Sequence, residues 1–544
     1  MFKKIFRSYK TPDEKKTNRK EIILGLFCGI LLGLSFPPIP LTYLIFTGLV
    51  PYFIVIEKRN SLAEINRFTY FTAFIFNIIT LYWVGSWTKD ADTFLMIAGS
   101  VLMFFNPIVF LIPSTLYYFA KKYFNKNIAL FLLPWFWLFY EYIYSITDFK
   151  FPWISLSNAL PYITSYIQIA DIIGSYGLTV LIIYTNIFAY KLYLDFRNQQ
   201  KCNCKFAVLF LLFLLIPILY GLVKINNYEE SNTKIKIGLI QPNLNPNKKW
   251  EVGNLNEQID LYLNLSSEAI SQNAELIIWP ETALPVYLMT EQYKNESERI
   301  QNFVEMTNVP ILSGMPHANF FTDSSMAPED AKPIKNSKYF YTSYNSILFF
   351  TPNEKVEQYG KIKLVPFGEK VPLVEEFPIL GKWIKWNVGI SSWNTGRDTL
   401  VFHSKIKSDS VKIGGVVCIE SIYPDFISSF VKKGAQFISV VTNDSWYGNS
   451  SGPYQHKEIS VLRAVENRRT VVRAANGGIS CIINPLGETI SKTEMFTKKV
   501  LVGDVELNTE KTFFTNYPLL FPYLSIFISI IVSLYAFLKR IISR

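Results

Sequence analysis

The sequence predicts a multi-pass α-helical membrane domain of about eight transmembrane helices, joined to one water-exposed α/β domain. Half of the 544 residues are hydrophobic, which is too many for an ordinary soluble protein, yet 18% are charged. Long apolar runs fill the chain up to about residue 223, and short β-rich runs replace them from there to about residue 517. A membrane protein with a folded aqueous domain accounts for both patterns.

The eight predicted spans each approach the ~20 residues that a helix needs to cross the hydrocarbon core of a bilayer. They cover approximately residues 21–36, 40–56, 68–87, 94–120, 128–145, 174–190, 206–223 and 520–538. We expect no cleavable signal peptide at the first span, because the prolines after it leave no small-residue cleavage site. The predicted domains are a basic tail (1–20), a seven-helix membrane domain (21–223), a catalytic α/β domain (224–517) and a last helix with a basic tail (518–544).

Lysine and arginine predict the orientation of these helices, because cytoplasmic loops are enriched in both residues. Basic residues are concentrated in the two tails and in every second loop, at 57–67, 121–126 and 191–205. We therefore expect both termini in the cytoplasm and the α/β domain outside it. Much of the net charge of +11 is then an orientation signal, and nucleic acid is not an expected partner.

Two acids occur where the membrane domain is predicted. Glu141 lies inside a span and Asp171 in the segment QIADIIGSYG. An acid at bilayer depth is costly unless it is paired or faces a cavity. Either the two acids brace helices near the membrane surface, or they shape a lateral entrance to the domain above.

The α/β domain is predicted from short runs with Val and Ile on both faces, a pattern typical of strands covered on each side. The predicted strands are 235–241, 275–279, 309–314, 346–350, 412–418, 437–443 and 480–485. Residues 256–273 and 453–469 supply helices, and the polar stretch 321–338 is expected to be a surface insertion. Glu281, Cys418 and Asn443 follow strands, where open α/β sheets usually hold reactive groups.

Cysteine and histidine give no metal signature, so we expect neither a metal nor an organic cofactor. The five cysteines are few and irregularly spaced, and Cys202 and Cys204 form only a C-x-C pair without further ligands nearby. The three histidines lie far apart in the sequence. His456 is interpreted as a structural helix residue or a group that lines the site.

A nucleophile and its base can be chosen from the residue types near the strand ends. Cys418 is either a small core residue or a nucleophile, and the acid Glu420 two residues later favours the second interpretation. The rigid, apolar WPE motif should raise the pKa of Glu281 and suit it to accept a proton. Lys361, near Glu369 in YGKIKLVPFGEKVP, could stabilise an oxyanion. Taken singly, Glu281 could be a solvated acid, and the alternative interpretation of a surface lysine applies better to Lys363, the neighbour of Lys361.

Taken in order, WPE, K-x-x-L-V-P-F-G-E and C-x-E resemble the nitrilase (carbon–nitrogen hydrolase) superfamily, whose members have an αββα sandwich and a Glu-Lys-Cys triad. FPPIP, FPW at 151–153 and TNDSWYGNSSGPYQH at 442–456 resemble its apolipoprotein N-acyltransferase family over essentially the whole chain. The resemblance implies Glu281 as base, Lys361 as oxyanion-stabilising residue and Cys418 as nucleophile.

The same resemblance implies roles for four neighbouring residues. Glu369 and Glu420 would support the triad, and Trp446 would help to form the substrate site. This chain has Ile419 after the nucleophile, where the family often has tyrosine. The backbone N–H of Ile419 could still serve an oxyanion hole.

The function implied is acyl transfer from a phospholipid, through a Cys418 thioester, to the α-amine of the diacylglyceryl-cysteine of an apolipoprotein. The catalytic domain would then lie on the periplasmic side of a bacterial inner membrane. The apolar stretch 377–386 is either a mobile flap that dips into membrane lipid or a packed surface loop. Two alternatives are a membrane-tethered nitrilase-type amidase and a transporter or scaffold with an inactive domain, which the intact triad argues against.

Overall fold

Long apolar helices make up the first part of the chain in the computed structural model. The structure describes residues 12–87, 93–199, 203–245, 255–323, 325–373, 393–407 and 409–542. The helices before the α/β domain are α1 (Pro12–Leu34), α2 (Val50–Ile56), α3 (Leu62–Leu81), α4 (Thr93–Val109), α5 (Leu111–Tyr123), α6 (Lys126–Ile146), α7 (Thr164–Ile167), α8 (Ala170–Arg197) and α9 (Cys204–Asn226). Those that follow are α10 (Leu255–Ser271), α11 (Lys294–Thr307), α12 (Pro424–Lys432), α13 (Ser451–Asn467), α14 (Phe513–Asn516) and α15 (Leu520–Ile542).

Six helical segments of the described chain are long and apolar enough to cross a membrane, five before the α/β domain and one after it. They are Leu62–Gly85, Leu95–Tyr123, Lys126–Ile146, Ala170–Arg197, Cys204–Asn226 and Leu520–Ile542. Each overlaps a span predicted from the sequence. The helical membrane region is therefore confirmed with six candidate spans.

The first two predicted spans differ from these six. The span predicted at 21–36 lies in α1, whose first half is rich in lysine and acidic residues. The span predicted at 40–56 is divided into a 3-10 turn, Thr42–Phe46, and the short helix α2, with Pro51 at the start of that helix. Proline is favoured in a first helical turn and cannot continue a preceding helix, which explains the division.

Thirteen strands build the α/β domain in the residues that the structure describes. They are β1 (Lys234–Gln241), β2 (Leu276–Trp279), β3 (Ile311–Phe321), β4 (Lys332–Pro333), β5 (Phe340–Phe350), β6 (Glu357–Gly360), β7 (Val401–Ile406), β8 (Asp409–Val417), β9 (Phe437–Thr442), β10 (Val471–Ala475), β11 (Cys481–Ile483), β12 (Thr489–Lys492) and β13 (Lys499–Glu506). Every strand predicted from the sequence corresponds to one of them.

The strands form two sheets with parallel centres and antiparallel edges. The first has the order β13-β1-β2-β3-β5-β4, with β6 also paired to β5, and the second has the order β12-β11-β10-β9-β8-β7. The sheets face each other through apolar side chains, and the rings of Phe349 and Phe402 lie 5.4 Å apart between them. Trp279 packs on Tyr262 of α10 on the outer side of the first sheet, so helices cover the sandwich on the outside.

The second sheet's outer helix, α13, joins the sandwich to the membrane helices. The side-chain oxygen of Gln455 accepts from the indoles of Trp83 at 3.1 Å and Trp153 at 2.8 Å, and its amide donates to the carbonyl of Thr80. Further along α13, Glu466 accepts from both the amide and the hydroxyl of Ser175 in α8. The chemistry-bearing loops therefore lie close to the ends of membrane helices.

Glu141 and Asp171 both join elements in the described structure. Glu141 accepts hydrogen bonds from Ser155 and Thr179 on one oxygen and from Leu156 N–H and Trp137 on the other. This network ties α6 to the segment after it and to α8, which is the bracing role considered for this acid.

Asp171 lies in the first turn of α8. It accepts from Arg468 at 2.8 Å and from the hydroxyl of Tyr220 in α9.

Two sequence-based predictions, the stretch 377–386 and Cys202, lie outside the described residues.

Candidate active site

The turn that presents Cys418 is sharp. Strand β8 ends at Val417, Cys418 has φ of 50°, and a 3-10 turn covers Cys418–Ile422. A non-glycine residue in this left-handed region is strained and is commonly held there at functional sites. The turn leaves Cys418 half-buried while Ile419 and Glu420 point into the protein.

Glu281 follows β2 and is held by two neighbours. Its Oε2 accepts from the backbone N–H of Asn443, after β9, at 3.0 Å, and its Oε1 accepts from the side chain of Asn345 at 2.8 Å. Gly314 makes room for this loop, since a Cβ there would lie 2.6 Å from the Cα of Glu281. Hydrogen bonds and close packing thus fix the carboxylate at the ends of neighbouring strands.

Lys361 is buried between two carboxylates. Its Nζ lies 2.9 Å from Glu369 and 3.6 Å from Oε1 of Glu281. Asn345 donates to Glu369 as well, at 2.8 Å, so one amide bridges the two acids. A second oxygen of Glu369 accepts from the N–H of Val365. The structure brings together Glu281, Lys361 and Glu369 in one network.

The charges in this network act on the thiol. Burial raises the pKa of Cys418, the charge of Glu281 raises it further, and Lys361 opposes both, leaving the pKa above its ordinary value. Burial likewise raises the pKa of Glu281, while Lys361 lowers it. Burial alone would lower the pKa of Lys361, but Glu369 and Glu281 outweigh it and raise that pKa. The arrangement favours a neutral thiol beside a carboxylate that can accept its proton and a permanently charged ammonium group.

Glu420 is fully buried and accepts four hydrogen bonds. Its Oε1 receives the hydroxyl of Tyr359 at 2.7 Å and the N–H groups of Ile362 at 2.7 Å and Lys363 at 3.1 Å. Its Oε2 receives the N–H of Val417 at 2.8 Å. Glu420 therefore connects the cysteine turn to the segment that carries Lys361.

The two residues considered for the substrate side are placed differently. Ile419 is buried in the 3-10 turn, with its side chain 3% exposed. Trp446 lies in a second 3-10 turn, Asp444–Tyr447, and is half-buried. The carbonyl of Trp446 accepts from the hydroxyl of Ser86, just after α3, so this turn is anchored to the membrane domain.

His456 has an orienting partner that the sequence did not reveal. Its Nδ1 lies 2.8 Å from Oδ1 of Asp444, and its Nε2 lies 2.9 Å from the hydroxyl of Ser421 and 3.1 Å from the carbonyl of Cys418. Burial lowers the pKa of His456, and the nearby Arg473 lowers it further. The imidazole contacts both the hydroxyl of Ser421 and the carbonyl of Cys418, and it therefore supports the turn. Asp444 and His456 lie twelve positions apart, and the TNDSWYG motif was the only sequence feature that pointed to this region.

Asn345, Tyr359 and Arg473 are further residues of this network that the sequence did not single out. Asn345 and Tyr359 lie inside strands, where their neighbours give no sign of a role. Arg473 lies in β10, fully buried, and donates to Oδ2 of Asp444 at 3.0 Å. Each of the three forms a hydrogen bond with a residue distant in sequence.

Within the part of the chain that the structure describes, Cys418, Asp444 and His456 could each offer one metal ligand, with ligand atoms within 4.8 Å of one another. Arg473 places a guanidinium beside this group, 3.0 Å from Asp444 and 3.3 Å from Nδ1 of His456. A fixed positive charge disfavours a cation at the same point. The geometry fits a hydrogen-bond network better than a metal centre.

Comparison with known proteins gives consistent matches along the chain. The family model described as carbon-nitrogen hydrolase matches residues 236–513, and that described as apolipoprotein N-acyltransferase N-terminal domain matches residues 28–188. The chain is 31% identical to the apolipoprotein N-acyltransferase of Chlorobaculum tepidum over 531 residues, covering 96% of this chain and 97% of the relative. It is 29% identical to that of Geobacter metallireducens over 544 residues, covering 98% and 99%. A crystal structure of a carbon–nitrogen hydrolase from Helicobacter pylori aligns with a TM-score of 0.37 at 14% identity, covering 51% of this chain and 90% of that one.

Proposed function

Since the chain belongs to the apolipoprotein N-acyltransferase family of the carbon–nitrogen hydrolase superfamily, we propose that it moves an acyl chain from a phospholipid to the α-amine of the diacylglyceryl-cysteine of an apolipoprotein. Its membership makes it an acyltransferase of lipoprotein modification and a multi-pass membrane protein. The proposal of acyl transfer from a phospholipid depends mainly on one observation. Three separate loops bring together Cys418, Glu281 and Lys361 beside membrane helices.

The first half-reaction forms a thioester on Cys418. Glu281 takes the thiol proton while Sγ attacks the carbonyl carbon of a phospholipid ester. Lys361 stabilises the tetrahedral oxyanion, and the N–H of Ile419 is suited to help because it follows the nucleophile directly. The intermediate collapses with cleavage of the C–O bond. Glu281 returns the proton to the departing alcohol oxygen, and a lysophospholipid leaves.

The second half-reaction transfers the acyl group to nitrogen. The α-amine of the acceptor attacks the thioester carbonyl and passes a proton to Glu281. The C–S bond breaks, the Cys418 thiolate recovers its proton from Glu281, and the amide product is released. Glu369 keeps Lys361 in place through both steps, because it holds the ammonium group at 2.9 Å.

Contacts with the membrane domain support a lipid substrate. Ser86 and Trp83, at the end of α3, bond to Trp446 and Gln455 of the α/β domain. The ring of Tyr447 packs edge-on against Trp83 at 4.8 Å. A site so close to the end of a membrane helix suits substrates whose acyl chains stay in the bilayer, and we extend the substrate-binding role to Trp446 on this basis.

We also propose eight crossings, with α1 and the segment Thr42–Ile56 added to the six candidate spans. Basic residues support the orientation. Lys121 donates to the carbonyls of Glu57 and Arg59, and Lys191 donates to Asn127. These loops gather at one end of the bundle, whereas the α/β domain contacts the other. By the positive-inside rule the basic end is cytoplasmic, so the catalytic domain (224–517) would be periplasmic and the basic tails (1–20 and 518–544) cytoplasmic.

The test is acylation of a diacylated lipopeptide by the purified protein in phospholipid micelles, followed by peptide mass. We expect the mass of one acyl chain to be added by the wild type and by Cys204→Ala, a control at an exposed cysteine. Cys418→Ala and Cys418→Ser should add none. Transfer by Cys418→Ala would refute the assigned nucleophile, and release of ammonia from a soluble amide without lipopeptide acylation would favour the amidase.

A further inference from the structure

Three lysines from two segments come together beside the triad. Lys150 follows α6, Lys363 lies two residues after Lys361, and Lys370 directly follows Glu369. All three are half-buried. Burial lowers the pKa of Lys150, Lys363 lowers it further and Lys370 adds to this effect, while Asp148 opposes. Positive charge is therefore concentrated at this point.

Direct contacts hold the two segments together. The N–H of Leu373 donates to Oδ2 of Asp148 at 3.2 Å. The rings of Phe149 and Phe367 lie 6.2 Å apart. These contacts lie at the two residues that precede Lys150 and at residues on either side of Lys370, so they bring the two lysine-bearing segments together.

The cluster lies near the end of a candidate membrane helix, because Lys150 follows the last residue of α6 by four positions. Phe149 also packs against Phe105 of α4, with ring centroids 5.5 Å apart. From Phe105 to Tyr123, the end of α5, the two helices rise about 27 Å, close to the ~30 Å of the hydrocarbon core. Phosphates of the bilayer lie just outside that core. The neighbouring face of α4 is apolar and exposed at this level and below it, as lipid contact requires, at Phe104 and Ile108.

Lys363 is linked to the nucleophile through one carboxylate. Its N–H donates to Oε1 of Glu420, whose other oxygen accepts from Val417, the residue before Cys418. Its ammonium group lies over the ring of Tyr423 at 5.3 Å. A ring holds the side chain without neutralising its charge, so Lys363 keeps a charge to offer to an anion.

We propose that Lys150, Lys363 and Lys370 bind the phosphate of the phospholipid donor. The inference rests on the proposed acyl transfer and adds the group that recognises the donor. A phospholipid carries a phosphate at the membrane surface, whereas the diacylglyceryl group of the acceptor carries none. The lysines therefore act in the first half-reaction, where binding the phosphate brings the nearby ester to Cys418.

The test measures thioester formation against the mole fraction of phosphatidylethanolamine in mixed micelles, for Lys150→Gln, Lys363→Gln and Lys370→Gln. We expect KM for this donor to rise about tenfold for each lysine, since one charge-assisted bond to phosphate is lost, and kcat to change less than twofold. With diacylglycerol of the same chains as donor, the variants and the wild type should have equal KM. Lys338→Gln, at an exposed lysine of the polar insertion, should match the wild type throughout.

Three results would overturn the proposal. The first is an equal rise of KM for diacylglycerol, and the second is slower acylation of lipopeptide from preformed thioester. The third is competition by inorganic phosphate alone, which would assign the cluster to a free anion. In a Cys418→Ala background, native mass spectrometry should show phosphatidylethanolamine bound, with less bound after Lys150→Gln. This arm tests the lysines even if the wild type forms no thioester, so failure of the transfer reaction is distinguished from failure of the phosphate site.

Discussion

Glu420→Gln perturbs a side chain that joins the cysteine turn to the lysine segment. Glu420 is fully buried, and both its oxygens accept hydrogen bonds. Glutamine has the same shape but only one acceptor oxygen. If that oxygen keeps the three donors now on Oε1, the new NH₂ group faces the N–H of Val417, and two donors oppose each other.

The cost follows from these bonds. Losing one bond to a charged acceptor removes about 1.5–3 kcal/mol, and leaving the buried N–H of Val417 unpaired adds about 1–3 kcal/mol. Part of this is offset, because burial of the charge is itself unfavourable and already raises the pKa of Glu420. We expect a net loss of about 2–4 kcal/mol, localised beside Cys418.

Thermal unfolding and acyl transfer measure this loss. Taking about 2–4 °C per kcal/mol, the unfolding midpoint in micelles should fall by about 4–16 °C. The acylation rate of the protein that remains folded should fall at least tenfold, because Val417 sets the position of the nucleophile. Glu257→Gln, at an exposed acid of α10, should change neither quantity. A Glu420→Gln variant with the midpoint and rate of the wild type would refute the reasoning.

Three further predictions concern the base and the turn. Thioester formation needs ionised Glu281, so its rate should rise with pH through a pKa above the ordinary glutamate range. Lys361→Met should move that rise to still higher pH, because Lys361 lowers the pKa of Glu281. A pH–rate profile measures both effects, and a rise that moves to lower pH in Lys361→Met would contradict the prediction. His456→Asn should slow thioester formation about tenfold in a stopped assay, since the contact with the Cys418 carbonyl is lost; an unchanged rate would exclude the supporting role. Gly314→Ala should reduce the same rate at least tenfold while circular dichroism stays that of a folded protein, because its Cβ would displace Glu281; full activity would show that the loop tolerates the shift.

The sequence predicted the parts of the fold that depend on local patterns. Runs with Val and Ile on both faces predicted β1, β8 and β9, because central strands of a covered sheet are apolar throughout. Strand β10 was missed, since Arg473 interrupts its apolar pattern. That arginine is buried with Asp444 and Ser460 as hydrogen-bond partners, and the sequence does not reveal such pairings.

In the membrane region and the site, too, local sequence patterns were predictable and contacts between distant residues were not. Length and hydropathy predicted most spans, but hydropathy alone did not predict the division of the second span into a turn and α2, where Pro51 begins a new helix. Glu281 and Cys418 could be chosen because each follows a strand and lies in a distinctive motif. Their relation to Lys361, and the partner of His456, come from loops that meet only in three dimensions.

The acyl-enzyme itself tests the central claim most directly. The purified protein would be incubated with a phospholipid that carries isotopically labelled acyl chains, without acceptor, and its peptides analysed by mass spectrometry. We predict one labelled acyl chain on the peptide that contains Cys418, removed by hydroxylamine and by a diacylated lipopeptide that gains the label as an amide. Label on another residue, or label on the lipopeptide with none passing through Cys418, would contradict the account.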